Sequence, residues 1–244
     1  MKAPRPIAIV SLGAATPEDI SMRAYGKLQK ADEIYCLGEA AHCIVAALPE
    51  GSALAQRCQI LEIPMSSDRT EASRYYDQLA TRLIEQQGRG LACSVVTIGD
   101  AGTYATVQYL ADLLRRAGVE MEVVPGIPYY IAAAAAFGEG LVRQDRSLLV
   151  LSKVFSSSQL REELSKGVTV VVMKLSRCAD IVREVIAEDN YDFIYAEHLG
   201  NPDLELLTSD RDTFLSRQPI PYFSLIIIRP SRRVPHLYVK IVQR

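Results

Sequence analysis

Two short glycine-bearing stretches carry the residues best suited to hold a small molecule. The first is Gly99-Asp100-Ala101-Gly102-Thr103-Tyr104, which follows the apolar run 91–98 and precedes a segment of helical periodicity. That places it at the carboxyl end of a strand, where open α/β sheets hold their ligands. Its glycines allow close approach to the backbone, Asp100 accepts hydrogen bonds, and the next helix supplies free N–H donors at its start. An adenosyl cofactor suits such a turn; so does an ordinary strand-to-helix connection capped by Asp100. The second stretch, Pro125-Gly126-Ile127-Pro128, follows the run 120–124 and introduces the small-residue segment 130–137. It reads either as a tight turn before a closely packed helix or as a seat for a flat ligand. The occurrence of both loops, about one strand-helix-strand unit apart, favours a ligand site.

The elements that must position these loops alternate between strand and helix patterns, the mark of an α/β fold. Apolar runs at 7–12, 34–37, 91–98, 120–124, 148–151, 168–173 and 193–197 read as strands. Thr16-Pro17-Glu18-Asp19 has the form of a capped helix start, with Ile20, Ala24, Leu28 and Ala31 on one face. Further helices are expected at 71–87, 104–117, 130–137, 159–166 and 179–187, the first of these closed by Gly88 and Gly90 and the second by Gly118. The runs 222–229 and 237–242, joined by Pro230-Ser231-Arg232-Arg233-Val234-Pro235, suggest a hairpin and therefore a mixed second sheet. The Pro125-Gly126 break sets the expected boundary between an N-terminal α/β domain, 1–124, and a C-terminal α/β domain, 125–244.

With 27 Lys and Arg against 29 Asp and Glu, the 244-residue chain lacks the basic excess that nucleic acid attracts. The start shows no secretory pattern and no run reaches the roughly 20 apolar residues of a membrane helix, so a cytoplasmic protein without a membrane partner is expected. Cys36, Cys43, Cys58, Cys93 and Cys178 are odd in number and form no C-x-x-C pair, which speaks against disulfides and zinc. No metal is expected, and His42 and His236 stand in no ligand pattern.

The two loops together resemble the tetrapyrrole methylases, whose G-D-x-x-x-Y and P-G-I/V elements both line the methyl-donor site. Gly99, Asp100 and Tyr104 match the first; Pro125, Gly126 and Ile127 match the second. The resemblance covers nearly the whole chain. Val10-Ser11-Leu12-Gly13-Ala14-Ala15-Thr16-Pro17-Glu18 stands in the place of the family's first glycine-rich loop, and Ala24 with Lys30-Ala31-Asp32 matches the helix after it. Val172-Met173-Lys174-Leu175, Tyr195-Ala196-Glu197-His198-Leu199-Gly200 and Pro221-Tyr222-Phe223-Ser224 look like segments of the precorrin-2 C20-methyltransferase branch. The resemblance implies a homodimer of two α/β domains with S-adenosylmethionine in the cleft between them and a tetrapyrrole, precorrin-2 or cobalt-factor II, as the small-molecule substrate in cobalamin biosynthesis. It implies donor contacts from Leu12, Gly99, Asp100, Thr103, Tyr104, Pro125, Gly126, Ile127, Pro128 and Tyr129, with Met173, Leu175, Glu197 and Leu199 from the second domain. No catalytic side chain is nominated, because a sulfonium methyl is already activated and the protein has mainly to align and exclude water. The substrate's carboxylates call for cations, so Arg143, Arg146, Lys153 and Lys174 are its candidate contacts, with Gly13 of the first loop as a further one implied by the resemblance.

The chain departs from the family in its ligand loops. Ser11, Gly13, Ala15 and Thr16 stand where G-x-G-x-G and an aspartate are usual, Ala101 replaces a proline, and Pro128-Tyr129 replaces small hydroxyl residues. A noncatalytic or altered-substrate relative that binds a tetrapyrrole or nucleotide is therefore the alternative reading. His198, the only histidine in a matched segment, is expected in a structural hydrogen-bonding role under either reading. An RNA or diphthine acceptor fits less well with a pI near 6.0, and a nicotinamide enzyme lacks G-x-G-x-x-G after its first strand.

Overall fold

The computed structural model describes residues 5–14, 16–63, 69–143 and 146–230. Among them the chain forms two five-stranded sheets, each belonging to one of two compact units. The first unit ends at Ala132 and takes in Gly200–Asp203; the second runs Ala133–Leu199 and resumes at Leu204.

The first sheet contains β1 (Ile7–Ser11), β2 (Glu33–Leu37), β3 (Cys58–Leu61), β4 (Cys93–Thr97) and β5 (Met121–Val124), in the order β3-β2-β4-β1-β5. All its pairings are parallel. β1 is buried along its whole length because it is covered on both faces, which is why it reads as a continuous apolar run. Its side chains alternate between two cores. Ala8 and Val10 pack with α1 (Met22–Lys30), α2 (Glu39–Ala47) and α3 (Gly51–Ala55), whereas Ile7 and Ile9 pack with α4 (Arg69–Gly88) and α5 (Val107–Arg116). Each large aliphatic side chain so buried contributes about 1.5–3 kcal/mol.

The helix expected from Thr16 begins later. Pro17–Asp19 is a single 3-10 turn, the Thr16 side chain makes no capping bond, and Ile20 is extended. Ser21 caps α1 instead, its hydroxyl accepting from the Ala24 N–H at 3.1 Å. Likewise α5 starts at Val107 rather than Tyr104, because Tyr104 has φ +52°, a left-handed conformation that a helix cannot contain. Its inward face is Val107, Leu110, Ala111 and Leu114, the spacing of one helical stripe. α2, α3 and β3 lay outside the expected pattern.

The second sheet contains β6 (Leu148–Leu151), β7 (Thr169–Met173), β8 (Asp192–Glu197), β9 (Leu206–Thr208) and β10 (Ser224–Arg229), in the order β6-β7-β10-β8-β9. β6 and β7 are parallel and the other pairings antiparallel, so the sheet is mixed. One face packs its Val170, Val172, Phe193, Tyr195, Ile226 and Ile228 against α7 (Ser157–Ser165), α8 (Ala179–Glu188) and α9 (Arg211–Ser216). The first strand of the expected hairpin corresponds to β10, and the segment 237–242 lies outside the described residues. α6 (Tyr129–Ala136) contains the junction of the two units. The boundary expected between 124 and 125 falls earlier than this junction, because the Gly126 loop packs on the end of the first sheet: a Cβ there would lie 2.6 Å from both the Gly99 carbonyl oxygen and the Ser11 Cβ.

Candidate functional site

Parallel register brings the carboxyl ends of β1, β4 and β5 to one rim, with Ser11 opposite Thr97 and Val10 opposite Val124. The chain leaves all three strands there, so residues 11–13, 98–104 and 125–129 meet although they are far apart in sequence. Gly13 and Gly99 exchange backbone bonds, the Gly13 N–H donating to Gly99 at 3.2 Å and the Gly99 N–H to Gly13 at 2.7 Å. The Leu12 N–H donates to the Thr97 carbonyl at 2.9 Å.

Asp100 is the node of this rim. Its Oδ1 accepts from the Gly102 N–H at 2.9 Å and the Thr103 hydroxyl at 3.0 Å, and its Oδ2 accepts from the Gly126 N–H at 3.0 Å. One carboxylate therefore fastens the second glycine loop to the first. The buried Ser11 hydroxyl adds another tie, accepting from the Ala101 N–H at 2.9 Å. Gln108 donates to the Ala101 carbonyl from the first turn of α5. Ser11 was not among the expected contacts; its departure from glycine was the signal that could have marked it.

The expected donor residues divide by what they present. The Leu12 side chain is fully buried in the core, leaving its backbone as the part near the rim. Gly99 has φ +75°, and a Cβ built there would meet nothing within 4 Å, so its bare backbone edge is open to a ligand. Tyr104, close to this edge in sequence, is held left-handed and is 44% exposed. Pro125 is exposed, and Gly126, Ile127, Pro128 and Tyr129 are half-buried where the loop enters α6. Gly13 has φ +81°, and a Cβ would come within 2.5 Å of the Asp19 carbonyl oxygen, so its glycine serves the fold.

Within the second unit, Met173, Lys174, Glu197, His198 and Leu199 lie at one end of the sheet, where Leu225 faces Met173 and Ser224 faces Glu197. Leu175 is a core side chain and Leu199 is buried. The Glu197 carboxylate is enclosed and engaged: Arg217 donates to it from Nη2 at 2.6 Å and Nε at 3.1 Å, and the Tyr195 hydroxyl also donates to it. Burial, reinforced by Glu197, pushes the Tyr195 phenol above its ordinary range. Glu197 thus braces the strand end. Lys174 and His198 adopt φ +55° and +48°, and burial, then Arg177, lowers the Lys174 ammonium below its usual value. Three of the four left-handed non-glycine residues among those described, Tyr104, Lys174 and His198, thus fall in segments expected to bind ligand; such local cost is typical of functional rims.

The candidate cations separate. Lys153 and Lys174 follow the carboxyl ends of β6 and β7, with Lys153 over the exposed Phe155 ring. Arg143 and Arg146 precede β6 and lie at the sheet's other end, so a group held at one end does not meet both pairs. Among the described residues, Glu39, His42 and Cys43 bring ligand-type atoms within 4.8 Å of one another on α2. No helix among the described residues is long and apolar enough to cross a membrane.

Comparison with known proteins adds independent findings. Residues 6–213 match the family model described as Tetrapyrrole (Corrin/Porphyrin) Methylases. The chain is 24% identical over 230 residues to a probable cobalt-precorrin-2 C(20)-methyltransferase of Methanocaldococcus jannaschii, covering 92% of this chain and 96% of the relative. It is 27% identical over 238 residues to the cobalt-precorrin-2 C(20)-methyltransferase of Salmonella typhimurium, covering 90% and 94% respectively. Among solved structures, a cobalt precorrin-4 methyltransferase superposes with a TM-score of 0.70 at 19% identity, covering 94% of this chain and 98% of that one. At that identity the likeness establishes the fold.

Proposed function

We propose, from the premise that this chain belongs to the tetrapyrrole (corrin/porphyrin) methylase family and is a methyltransferase, that it methylates C20 of precorrin-2 or cobalt-factor II in cobalamin biosynthesis. The methyl donor in this reading is S-adenosylmethionine, and the protein acts as a homodimer. The curated relatives named for that reaction, matched over more than nine-tenths of their own lengths, support the acceptor. The observation that carries the donor site is the Asp100 carboxylate joining both glycine loops beside the open backbone of Gly99.

When bound, the donor supplies a methyl group already activated on a sulfonium, so the protein's work is alignment and exclusion of water. In this reading Gly99, Thr103, Tyr104, Ile127 and Tyr129 touch the donor, and the backbones of Leu12 and Gly126 complete its seat. Asp100 is a positioning residue: both its oxygens are satisfied by protein donors, and it holds the seat in shape. Met173 and Leu199 are further contacts from the second unit, while Glu197 and Leu175 hold the backbone that presents them. Lys153 and Lys174, at the same end of that sheet as Met173, are the cations for substrate carboxylates. No side chain is assigned as nucleophile, in keeping with direct transfer.

Calorimetric titration with S-adenosylhomocysteine tests the donor site. Saturable binding is expected, and Asp100→Ala, which removes all three bonds to that carboxylate and releases the Gly126 loop, is expected to weaken it about tenfold or more. Unchanged affinity in a folded variant would overturn the role given to Asp100, and no binding by the native chain would overturn the donor site. Acceptor identity is read by mass spectrometry and carbon-13 labelling of the methyl group, with label at C20 expected. Sedimentation equilibrium checks the dimer.

A further inference from the structure

The second unit carries a concave patch that the methyl-transfer reading does not use. It lies at the end of the sheet opposite Met173, where β7 and β6 begin and β10 ends, and encloses about 90 Å³. By this measure one water needs about 10–15 Å³, so the patch has room for a group of several heavy atoms. Arg143, Arg146 and Arg229 line it together with Gly140, Gly167 and Thr169, and among its described lining residues there is no carboxylate. Concave surfaces carrying one sign of charge concentrate the opposite ion.

Arg229 makes the patch more than a cluster of surface cations. As the last residue of β10 its side chain is only 9% exposed. Nη1 is paired with Glu139 and Nη2 donates to the Gly140 carbonyl at 3.0 Å, yet among the described residues the buried Nε has no hydrogen-bond partner. A buried donor left unsatisfied costs about 1–3 kcal/mol, more for a charged group, so native folds seldom keep one without water, a ligand or an ion to meet it. Arg146 is placed by the backbone: its Nη1 lies 3.4 Å from the Gly167 carbonyl oxygen and 2.7 Å from where a Gly167 Cβ would be, so only glycine there admits this position. Arg143 is exposed at the mouth. Planar guanidinium forks of this kind match oxyanions in both charge and geometry.

We propose that this patch is an oxyanion site, taking a carboxylate or phosphate group of a small molecule on residues other than those of the methyl-donor loops. Because it is lined by residues of the second unit alone, none of them assigned to the donor, its occupancy does not depend on the donor reading. The test is calorimetric titration of the full chain with inorganic phosphate and, separately, with succinate, sodium chloride holding ionic strength constant. Saturable binding of at least one anion is expected, together with a shift of the Arg229 Nε–H resonance in nitrogen-15 spectra. Arg143→Gln should weaken that binding about tenfold, one charge-assisted bond being lost, with an unchanged circular dichroism spectrum. Arg229→Lys, which keeps the charge but removes the fork, should abolish it. Should that buried variant fail to fold, the exposed Arg143→Gln still decides. Saturation by phosphate alone assigns a phosphate group and saturation by succinate alone a carboxylate, each upholding the site. Heats indistinguishable from those of chloride, or native affinity in both Arg143→Gln and Arg146→Gln, would overturn it.

Discussion

Ser11 stands where the family usually has glycine, and its neighbours show how the substitution is accommodated. The hydroxyl takes the Ala101 N–H, a buried donor with no strand partner to serve it, while Gly126 supplies the space that the added Cβ occupies. Ser11→Ala is therefore expected to cost about 1–3 kcal/mol, the penalty of a buried amide left without an acceptor, measured by urea unfolding; a loss below a few tenths would show that the bond is not needed. Gly126→Ala is the complementary case: its Cβ would sit 2.6 Å from the Gly99 carbonyl oxygen and the Ser11 Cβ. That contact forces the loops apart, so S-adenosylhomocysteine affinity should fall by more than the variant's stability predicts, and Ser11→Gly should partly restore it. At this scale the glycine spacing made the site legible in sequence. What sequence could not convey was direction, since Asp100 and Ser11 point into the protein and bind its loops together rather than simply facing a ligand.

Secondary elements were legible where their pattern was long or doubly buried, as in β1, β4, β7 and α8, and hidden where it was short or half-exposed. β3 is a four-residue strand with no buried residue, β9 has three residues, and α9 is six residues long with Phe214 as its buried anchor. Such elements are fixed by what they pack against. The end of β8 is an example, because Glu197 is held by Arg217 from beyond α9. Arg217→Met would leave that carboxylate enclosed with only Tyr195 for a partner. Fully buried pairs cost about 3–5 kcal/mol to break, but Arg217 is 40% exposed, so about 2–3 kcal/mol is expected by chemical denaturation. Glu197→Gln in the same background should recover part of the loss.

β4 supplies a pH signature. Burial above all, with Glu33 and then Asp32 adding to it, pushes the Cys93 thiol from 9.0 up to about 11. A folded-state value above the unfolded one means the native chain holds this proton after the unfolded chain has released it. The stabilisation is complete below pH 9 and is lost as pH rises through 11, amounting to about 2–3 kcal/mol. Urea midpoints measured across that interval should fall in the native chain, and more shallowly in Cys93→Ala, which starts lower because of the cavity it creates. Equal slopes in the two proteins would remove Cys93 from the effect.

At the scale of the whole molecule, the two units have separate cores, one sheet being parallel and sandwiched, the other mixed. The alternation of patterns announced both units. Pro125 reads as punctuation in the sequence, whereas the contacts of Gly126 keep its loop with the first sheet and the division between the units falls after Ala132. Separate cores permit separate local unfolding, and this makes the reach of the donor measurable. S-adenosylhomocysteine at a hundredfold its dissociation constant stabilises whatever unfolds with its site by about 2.7 kcal/mol. Hydrogen exchange should therefore slow most at 99–104 and 125–129. The proposal that Met173 and Leu199 also meet the donor adds a second requirement, protection at 173–175 and 197–199 that rises with the same ligand concentration. Protection confined to the first unit would strike those residues from the donor site while leaving the Asp100 loops in it, and protection confined to the second would reverse the assignment.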